Sequence, residues 1–187
     1  GGDFAAIQVF ELPTFEQVGE WHHNTTPMNQ QIRILQGINK HIYDTIMEQD
    51  ASASPQIFYS MENNTIGEAA LLRVMDIGEE NIQGMFLSEP IRKGHRRKFR
   101  RGFNTTAKFK IDACTKFKEL IEGGKMKINS QLLISELKDF VASGLSFKAK
   151  PGQHDDLVSA CLLMTRMMKV LADFDPKIFE KWTDRTS

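Results

Sequence analysis

Residues 56–64 read QIFYSMENN, and this stretch decides the fold class. The run Gln56–Met61 is apolar and rich in residues that favour strands, so it predicts a short buried strand. Glu62 follows the strand directly and opens a polar corner. A helix is then expected over residues 66–77, with a glycine at its end. A strand followed at once by a helix is the repeating unit of α/β folds.

The same alternation extends on both sides of this stretch. Upstream, Phe4–Leu12 and Thr14–His22 predict an antiparallel hairpin, and apolar residues at every third or fourth position predict a helix over roughly 27–48. Downstream, short strands are expected at 85–88, 126–128 and 145–149. Helices are expected from Thr105 or Thr106 to Gly123, over Leu132–Val141, and from Asp155 to Ala172. The order predicts an α/β fold with a mixed sheet whose parallel members are buried.

Composition and length predict one ordinary folded domain over residues 1–187, with a C-terminal tail at 173–187. Hydrophobic residues make up 41% and charged residues 26%, which argues against wholesale disorder. No apolar run approaches the roughly 20 residues of a membrane-spanning helix. Cys114 and Cys161 each lie in an apolar helical stretch, so buried free thiols are expected. The chain opens Gly-Gly-Asp without Met, so we expect it to be a piece of a longer protein.

The charge of the chain is balanced overall but strongly segregated. Lys+Arg and Asp+Glu are 24 each, yet the window Ile91–Lys118 holds eleven Lys or Arg and one acid, a net charge of +10. Residues 91–103 lack a helical apolar period and contain glycines, so they predict a basic loop that binds phosphates. The alternative is a solvated loop or a surface for an acidic protein. The candidate DNA-binding residues are Arg92, Lys93, Arg96, Arg97, Lys98, Arg100 and Arg101.

Acidic residues fall at the ends of predicted elements. Asp3 precedes the first strand, Glu62 follows a strand, and Asp155 and Asp156 open the last helix. Strand ends and helix starts meet at the ligand-binding edge of open α/β folds. Carboxylate oxygens there suit Mg²⁺ or Mn²⁺, and two such ions can activate a water for phosphodiester hydrolysis.

Each of these residues also has a simpler interpretation. Asp155 alone could cap the last helix, and Glu62 could be an exposed loop acid. His22 and His23 are expected at a solvated strand end. Other chemistries are poorly supported, because the sequence contains no GxxxxGK[ST], GxGxxG or GxSxG motif.

Four stretches resemble the C-terminal nuclease domain of the large terminase subunit of tailed bacteriophages, the DNA-packaging motor. They follow the family's order over nearly the whole chain, and the pair ENN-x-x-G and HDDLV is its most specific part. The stretches are GGDFAAIQVFEL at 1–12, YSMENNTIGEAAL at 59–71, GFNTTAKFK at 102–110 and GQHDDLVSACLL at 152–163.

The resemblance implies a ribonuclease H-like fold, with a mixed central sheet flanked by helices. It also implies a Mg²⁺- or Mn²⁺-dependent endonuclease, with two ions, that cuts concatemeric double-stranded viral DNA through attack of an activated water. Glu62 matches the glutamate of the central strand, and Asp155 and Asp156 match the C-terminal aspartates, with Asp156 favoured as the direct ligand. Lys108 falls in the family's Thr-Thr…Lys segment near the site and joins the candidate DNA-binding residues.

One departure concerns the first strand. The family has a leading aspartate there, then a Gly-rich stretch and a second aspartate, and Gly1-Gly2-Asp3 resembles the end of that stretch. We therefore expect one metal ligand to lie upstream of this sequence, which leaves Asp3 as an accessory catalytic acid. The implied partners are the portal, the small terminase subunit and the motor ATPase domain of the same polypeptide, in the host cytoplasm, with no membrane.

Two other functions remain open at this point. Holliday-junction resolvases and transposases use the same fold and also cluster carboxylates on the sheet. A non-catalytic module that docks DNA or the portal through the basic loop would need no metal.

Overall fold

The computed structural model describes residues 4–90, 101–143 and 146–174, and it divides into two compact units. The first unit consists of residues 1–25 and 105–187, and the second of residues 26–104. Each unit is considered by itself below. Asp3 and the candidate DNA-binding residues between 92 and 100 lie outside the described residues. The prediction of a single domain stays a prediction.

The first unit begins with the predicted hairpin. Strand β1 (Ala5–Glu11) pairs antiparallel with β2 (Glu16–His23), and Ile7 lies opposite Trp21. The register shifts by one residue between Val9 and Phe10, which marks a bulge. The hairpin was predictable because both strands are apolar, β-prone runs separated by a proline turn.

Three helices complete the core of the first unit: α3 (Ala107–Glu122), α4 (Gln131–Asp139) and α5 (Asp156–Phe174). Thr106 and Ser130 cap the first two, with side-chain oxygens that accept from the N–H groups of Phe109 and Leu133 at 3.3 and 3.1 Å. Helix α5 packs against α3, α4 and β1. The two cysteines are buried free thiols, as predicted.

The chain after α4 differs from the prediction. The helix expected to reach Val141 ends at Asp139, and β5 (Phe140–Ser143) pairs antiparallel with β6 (Ser146–Ala149). The rings of Phe140 and Phe147 stack across the pair, with centroids 6.2 Å apart. Such cross-strand pairs stabilise a hairpin and override the local helical pattern. The strand expected at 126–128 is reduced to one pairing, between Glu16 and Lys127.

A network of polar side chains joins the hairpin to the start of α4. The carboxylate of Glu20 accepts from Gln8 Nε2 at 2.7 Å, Gln17 Nε2 at 3.1 Å and Ser130 Oγ at 2.7 Å. Gln17 is only 3% exposed, and its Oε1 accepts from the N–H groups of Asn129 and Ser130. Every one of these buried polar groups therefore has a partner, as a stable core requires.

The second unit consists of α1 (Met28–Gln49), β3 (Phe58–Tyr59), α2 (Thr65–Ile77), a 3₁₀ turn (Glu79–Asn81) and β4 (Met85–Phe86). Its strands pair in parallel, with Phe58 opposite Met85. Helix α1 packs on α2 over a small apolar core. The buried members of that core are Ile32, Tyr59, Ala70, Val74 and Ile82.

Both flanks of the basic segment 91–100 bond to the backbone that continues β3. Leu87 donates its N–H to the carbonyl of Tyr59 at 2.8 Å, and Phe103 donates to the carbonyl of Met61 at 3.1 Å. The flanks also meet each other, because the Glu89 N–H donates to the Gly102 carbonyl at 3.1 Å. A Cβ on Gly102 would lie 2.6 Å from the Met61 oxygen, and its φ of 78° also favours glycine.

The fold class is α/β, as predicted. Within the described residues the strands form three two-stranded sheets, two antiparallel and one parallel. Both strand directions therefore occur, and α5 packs against β1 and α3 against β6. None of the helices in these residues combines the length and the apolar character that crossing a membrane needs.

Candidate functional site

A tight turn delivers the two adjacent aspartates to the start of α5. Gly152 adopts a φ of 81°, and the N–H of Gln153 donates to the carbonyl of Lys150 at 2.9 Å. The chain then enters α5 at Asp156, and the Ser159 N–H donates to the Asp155 carbonyl at 2.8 Å. The Pro-Gly turn thus ends β6 and begins α5 within a few residues, which fixes where both aspartates leave the backbone.

The side chain of Asp155 is held on two sides. Its Oδ2 accepts from the Ala149 N–H at 3.3 Å and lies 3.7 Å from Lys110 Nζ. Lys110 Nζ in turn sits 5.7 Å from the centre of the Phe140 ring, which is favourable for a cation. Asp155 retains 29% of its side-chain exposure, so its carboxylate is partly buried but reachable.

Asp156 lies beside a cluster of aromatic rings. Its Oδ2 is 3.8 Å from Nδ1 of His154, and its side chain is 23% exposed. The Phe4 ring stacks on His22 with centroids 4.4 Å apart and meets the His154 ring edge-on at 4.7 Å. The start of β1, the end of β2 and the start of α5 therefore lie together, with Asp156 among them.

The expectation that His22 lies at a solvated strand end is wrong. Its Nε2 is buried and has no hydrogen-bond partner in the described residues, because Phe4 covers the ring. Burial lowers the pKa of His22, against an opposing attraction from Asp156. His23 is exposed, as expected.

Glu136 is a residue of this site that the sequence analysis missed. It lies on α4, and its Oε2 accepts from the Val158 N–H at 3.0 Å, in the first turn of α5. Burial raises its pKa, and the neighbouring carboxylates of Asp156 and Asp155 add to that rise. No local motif marks it, since 22 residues separate it from Val158.

Glu62 belongs to the second unit, where the backbone pairing of β3 ends. The residue is paired in parallel with Phe103, and the Asn63 N–H donates to the Phe103 carbonyl at 2.7 Å. The Glu62 carboxylate accepts from Asn64 Nδ2 at 3.3 Å. Asn64 also caps α2, because its Oδ1 accepts from the Gly67 N–H at 2.7 Å. Glu62 is therefore fixed between a strand and a helix cap and is not part of a loose loop.

The two described members of the candidate DNA-binding set differ in their surroundings. Arg101 donates to Glu79 and lies 5.0 Å from the centre of the Phe86 ring, so its side chain is engaged within the second unit. Lys108 is exposed in the first turn of α3 in the first unit. Lys108 thus has the exposure that a phosphate contact needs, whereas Arg101 has local partners.

The carboxylates of Asp155 and Asp156 fit a hard divalent cation as part of a ligand set. Both offer partly exposed oxygens, the ligand atoms that Mg²⁺ and Mn²⁺ prefer. Within residues 4–90, 101–143 and 146–174, no three His, Cys, Asp or Glu side chains are grouped so that they could hold a metal ion. The aspartate pair is brought together in the first unit, and Glu62 lies in the second.

Comparison with solved structures shows which known fold this chain shares. No protein-family model matches the chain. The large terminase nuclease of the thermophilic phage G20c, solved with bound magnesium, is 16% identical, with a TM-score of 0.57 over 89% of this chain and 76% of that chain. The same nuclease with bound cobalt gives a TM-score of 0.57 at 16% identity, over 88% of this chain and 74% of that one. A third structure of it gives 0.55 at 17% identity, over 87% and 74% of the two chains. The chain therefore has the α/β, ribonuclease H-like fold of the large terminase nuclease.

Proposed function

We propose that the chain is the metal-dependent endonuclease domain of a viral DNA-packaging terminase that cleaves double-stranded DNA. The observation that carries the proposal is the pair Asp155–Asp156, two partly exposed carboxylates at the start of α5 in a chain with the terminase nuclease fold. The G20c nuclease was solved with bound magnesium and with bound cobalt, which supports a divalent ion here. The number of ions and the use of Mn²⁺ belong to the proposal.

The proposed roles follow from the contacts of each side chain. Asp156 is the direct metal ligand, and Asp155 assists it, because Ala149 and Lys110 already hold the Asp155 carboxylate. Glu62 is the third proposed ligand, held in place by its strand pairing and by Asn64. When bound, Mg²⁺ or Mn²⁺ would lower the pKa of a water and stabilise charge on the phosphate.

The substrate follows from the charge distribution. Seven Lys or Arg occupy residues 92–101, and exposed Lys108 adds a positive charge at the start of α3. Contacts to phosphates orient a duplex without reading its sequence, so cutting is expected to be largely sequence-independent. The resemblance also predicts action in the host cytoplasm. It predicts the portal, the small terminase subunit and the motor ATPase domain as partners, and these stay predictions.

Cleavage of supercoiled plasmid in Mn²⁺ tests the proposal. The chain, and a version extended at its N-terminus, are compared with Glu62→Ala and Asp156→Ala. Cutting by the parent protein that both substitutions abolish supports the proposal. Undiminished cutting by either variant would remove that residue from the site.

Three further measurements separate this proposal from its rivals: substrate preference, the metal dependence of DNA binding, and Mn²⁺ binding. A preference for four-way junctions over linear duplex would favour a resolvase. DNA binding that does not depend on metal, with no cleavage by the extended version, would favour a docking module. Mn²⁺ binding by calorimetry, lost on substitution of Glu62 or Asp156, would exclude the docking module directly.

A further inference from the structure

The N–H groups in the first turn of α5 need hydrogen-bond partners. The first four N–H groups of a helix have no partner within the helix, and an aspartate just before it normally accepts from one of them. Helix α5 begins at Asp156, so Asp155 would ordinarily accept from Leu157 or Val158. A carboxylate used in this way is turned toward its own helix.

The structure has a different arrangement. Glu136, on α4, accepts from the Val158 N–H at 3.0 Å, and the nearby Leu157 N–H also favours the charged form of its carboxylate. Asp155 instead accepts from Ala149 at 3.3 Å and faces Lys110. The first turn of α5 is thus capped by a residue from another helix.

From this geometry we infer that Glu136 positions the aspartate pair, an inference that rests on the proposed function. Because Glu136 takes the Val158 N–H, neither aspartate has to cap it. Helix α4 therefore sets the place of the first turn of α5, and with it the direction in which Asp155 and Asp156 leave the backbone. Glu136 acts through the helix start and is a positioning residue, not a metal ligand.

The charges around Glu136 support this assignment. A half-buried carboxylate close to two others is electrostatically unfavourable, so packing alone does not account for it. The N-terminus of α5 supplies the compensation, because its N–H groups and partial positive charge favour an acid there. Its Oε2 already accepts from the Val158 N–H, which favours a positioning role over a place among the metal ligands.

Three variants test the inference: Glu136→Ala, Glu136→Gln and the control Glu122→Gln. Glu122 is an exposed acid at the end of α3, so its substitution removes one carboxylate from the same unit at a distance from the cap. Amide hydrogen exchange at Leu157 and Val158 is measured by NMR without metal. Mn²⁺ affinity is measured by calorimetry on the parent protein, extended at its N-terminus if the chain alone does not bind.

Glu136→Ala is expected to speed exchange at the Val158 amide about tenfold and to weaken Mn²⁺ binding about 10- to 100-fold, as loss of a group that holds a metal ligand in place does. Glu136→Gln is expected to stay within about twofold of the parent in both measurements, because its amide oxygen still accepts from the Val158 N–H. The control is expected to match the parent. Rescue by Gln separates positioning from a role that needs the charge.

Each other outcome overturns the inference in a recognisable way. Unchanged exchange in Glu136→Ala means that Glu136 is not the cap. Faster exchange with unchanged Mn²⁺ affinity means that it caps α5 without positioning the pair. Affinity lost equally in Gln and Ala means that Glu136 binds the metal directly. A parent protein that binds no metal overturns the proposed function and the positioning role with it, while exchange still reports the cap.

Discussion

A Cβ on Gly67 would lie 1.7 Å from the carbonyl oxygen of Glu62. The first turn of α2 therefore rests directly on the backbone of the residue that ends the β3 pairing. Asn64 completes the arrangement, because its side chain caps the N–H of Gly67 itself. The spacing ENN-x-x-G thus has a physical cause: Asn64 closes the corner, and only glycine allows the close approach to Glu62.

The first prediction concerns Gly67→Ala. Its methyl group cannot fit beside the Glu62 carbonyl, so we expect the free energy of unfolding to fall by about 1–3 kcal/mol or more. If Glu62 is a ligand, Mn²⁺ affinity falls with it. Urea unfolding followed by circular dichroism measures the first effect, and calorimetry the second.

Gly37→Ala is the matched control for this prediction. Gly37 lies within α1, and a Cβ there would meet nothing within 4 Å. We expect a gain of about 0.5–1 kcal/mol, since alanine is the better helix former. A Gly67→Ala variant as stable as this control would contradict the close approach.

The second prediction separates the two aspartates. Asp156→Asn is expected to weaken Mn²⁺ binding more than about 100-fold. Asp155→Asn is expected to weaken it about 10-fold, because Asp155 supports the site through Ala149 and Lys110. Calorimetry measures both, with Asp139→Asn as the control, since that aspartate pairs with Lys150. A larger loss in Asp155→Asn would mean that Asp155 is the direct ligand and Asp156 the assisting residue.

The third prediction concerns salt. Each phosphate contact adds about −0.9 to the slope of log K against log salt concentration on duplex DNA. Lys108→Ala is therefore expected to make the slope less negative by about 0.9, because Lys108 is exposed. Arg101→Ala removes the same charge but is expected to leave the slope unchanged, since Arg101 is engaged with Glu79 and Phe86. Fluorescence anisotropy with labelled duplex measures both, and equal slope changes would place Arg101 on the DNA.

The fourth prediction concerns thiol reactivity. Burial raises the pKa of Cys114 to about 11, and burial also raises that of Cys161. The thiolate fraction of Cys114 at pH 8 is then about two orders of magnitude below that of an ordinary thiol. We expect slow alkylation by iodoacetamide in the folded protein and fast alkylation in urea, read by mass spectrometry.

The pH dependence of stability follows from the same shift. The folded protein holds the Cys114 proton more tightly than the unfolded chain does. The resulting contribution to the free energy of unfolding is therefore fully present below the ordinary thiol pKa. It is lost as the pH rises from about 8.5 toward 11. A Cys114→Ala variant is expected to lack this part of the decline, and an identical decline in the variant would contradict the shifted pKa.

Much of the fold could be predicted because its signals are local. Ser130 caps α4 and Thr106 caps α3 through groups three residues away, so the sequence around each start is sufficient. The hairpin β1–β2 was predictable for the same reason. Strand β6 was expected, at 145–149, but β5 was not, because Phe140 pairs with β6 against the helical pattern that precedes it.

The residues of the candidate site also fall into two groups, those that local sequence signals predict and those that only tertiary packing brings to the site. Asp155 and Asp156 stand at a helix start that the Pro-Gly turn announces, and Glu62 follows an apolar strand. Glu136 reaches the first turn of α5, and Lys110 reaches Asp155, only through the packing of α4 and α3, which local sequence patterns do not show. His22 was placed in solvent because a strand end is usually exposed, and the Phe4 ring covers it instead.

The hydrogen bond between Glu89 and Gly102 has a consequence for how this protein can be altered. The chain before and after residues 91–100 is therefore already joined by a backbone hydrogen bond within the second unit, so extra residues between Pro90 and Arg101 would be an insertion between joined ends. Doubling the length of such an insertion adds only about 0.6 kcal/mol of closure entropy. We therefore expect the second unit to keep its fold when residues are added between Pro90 and Arg101, provided that Arg101 keeps its contacts with Glu79 and Phe86 and that Gly102 is retained.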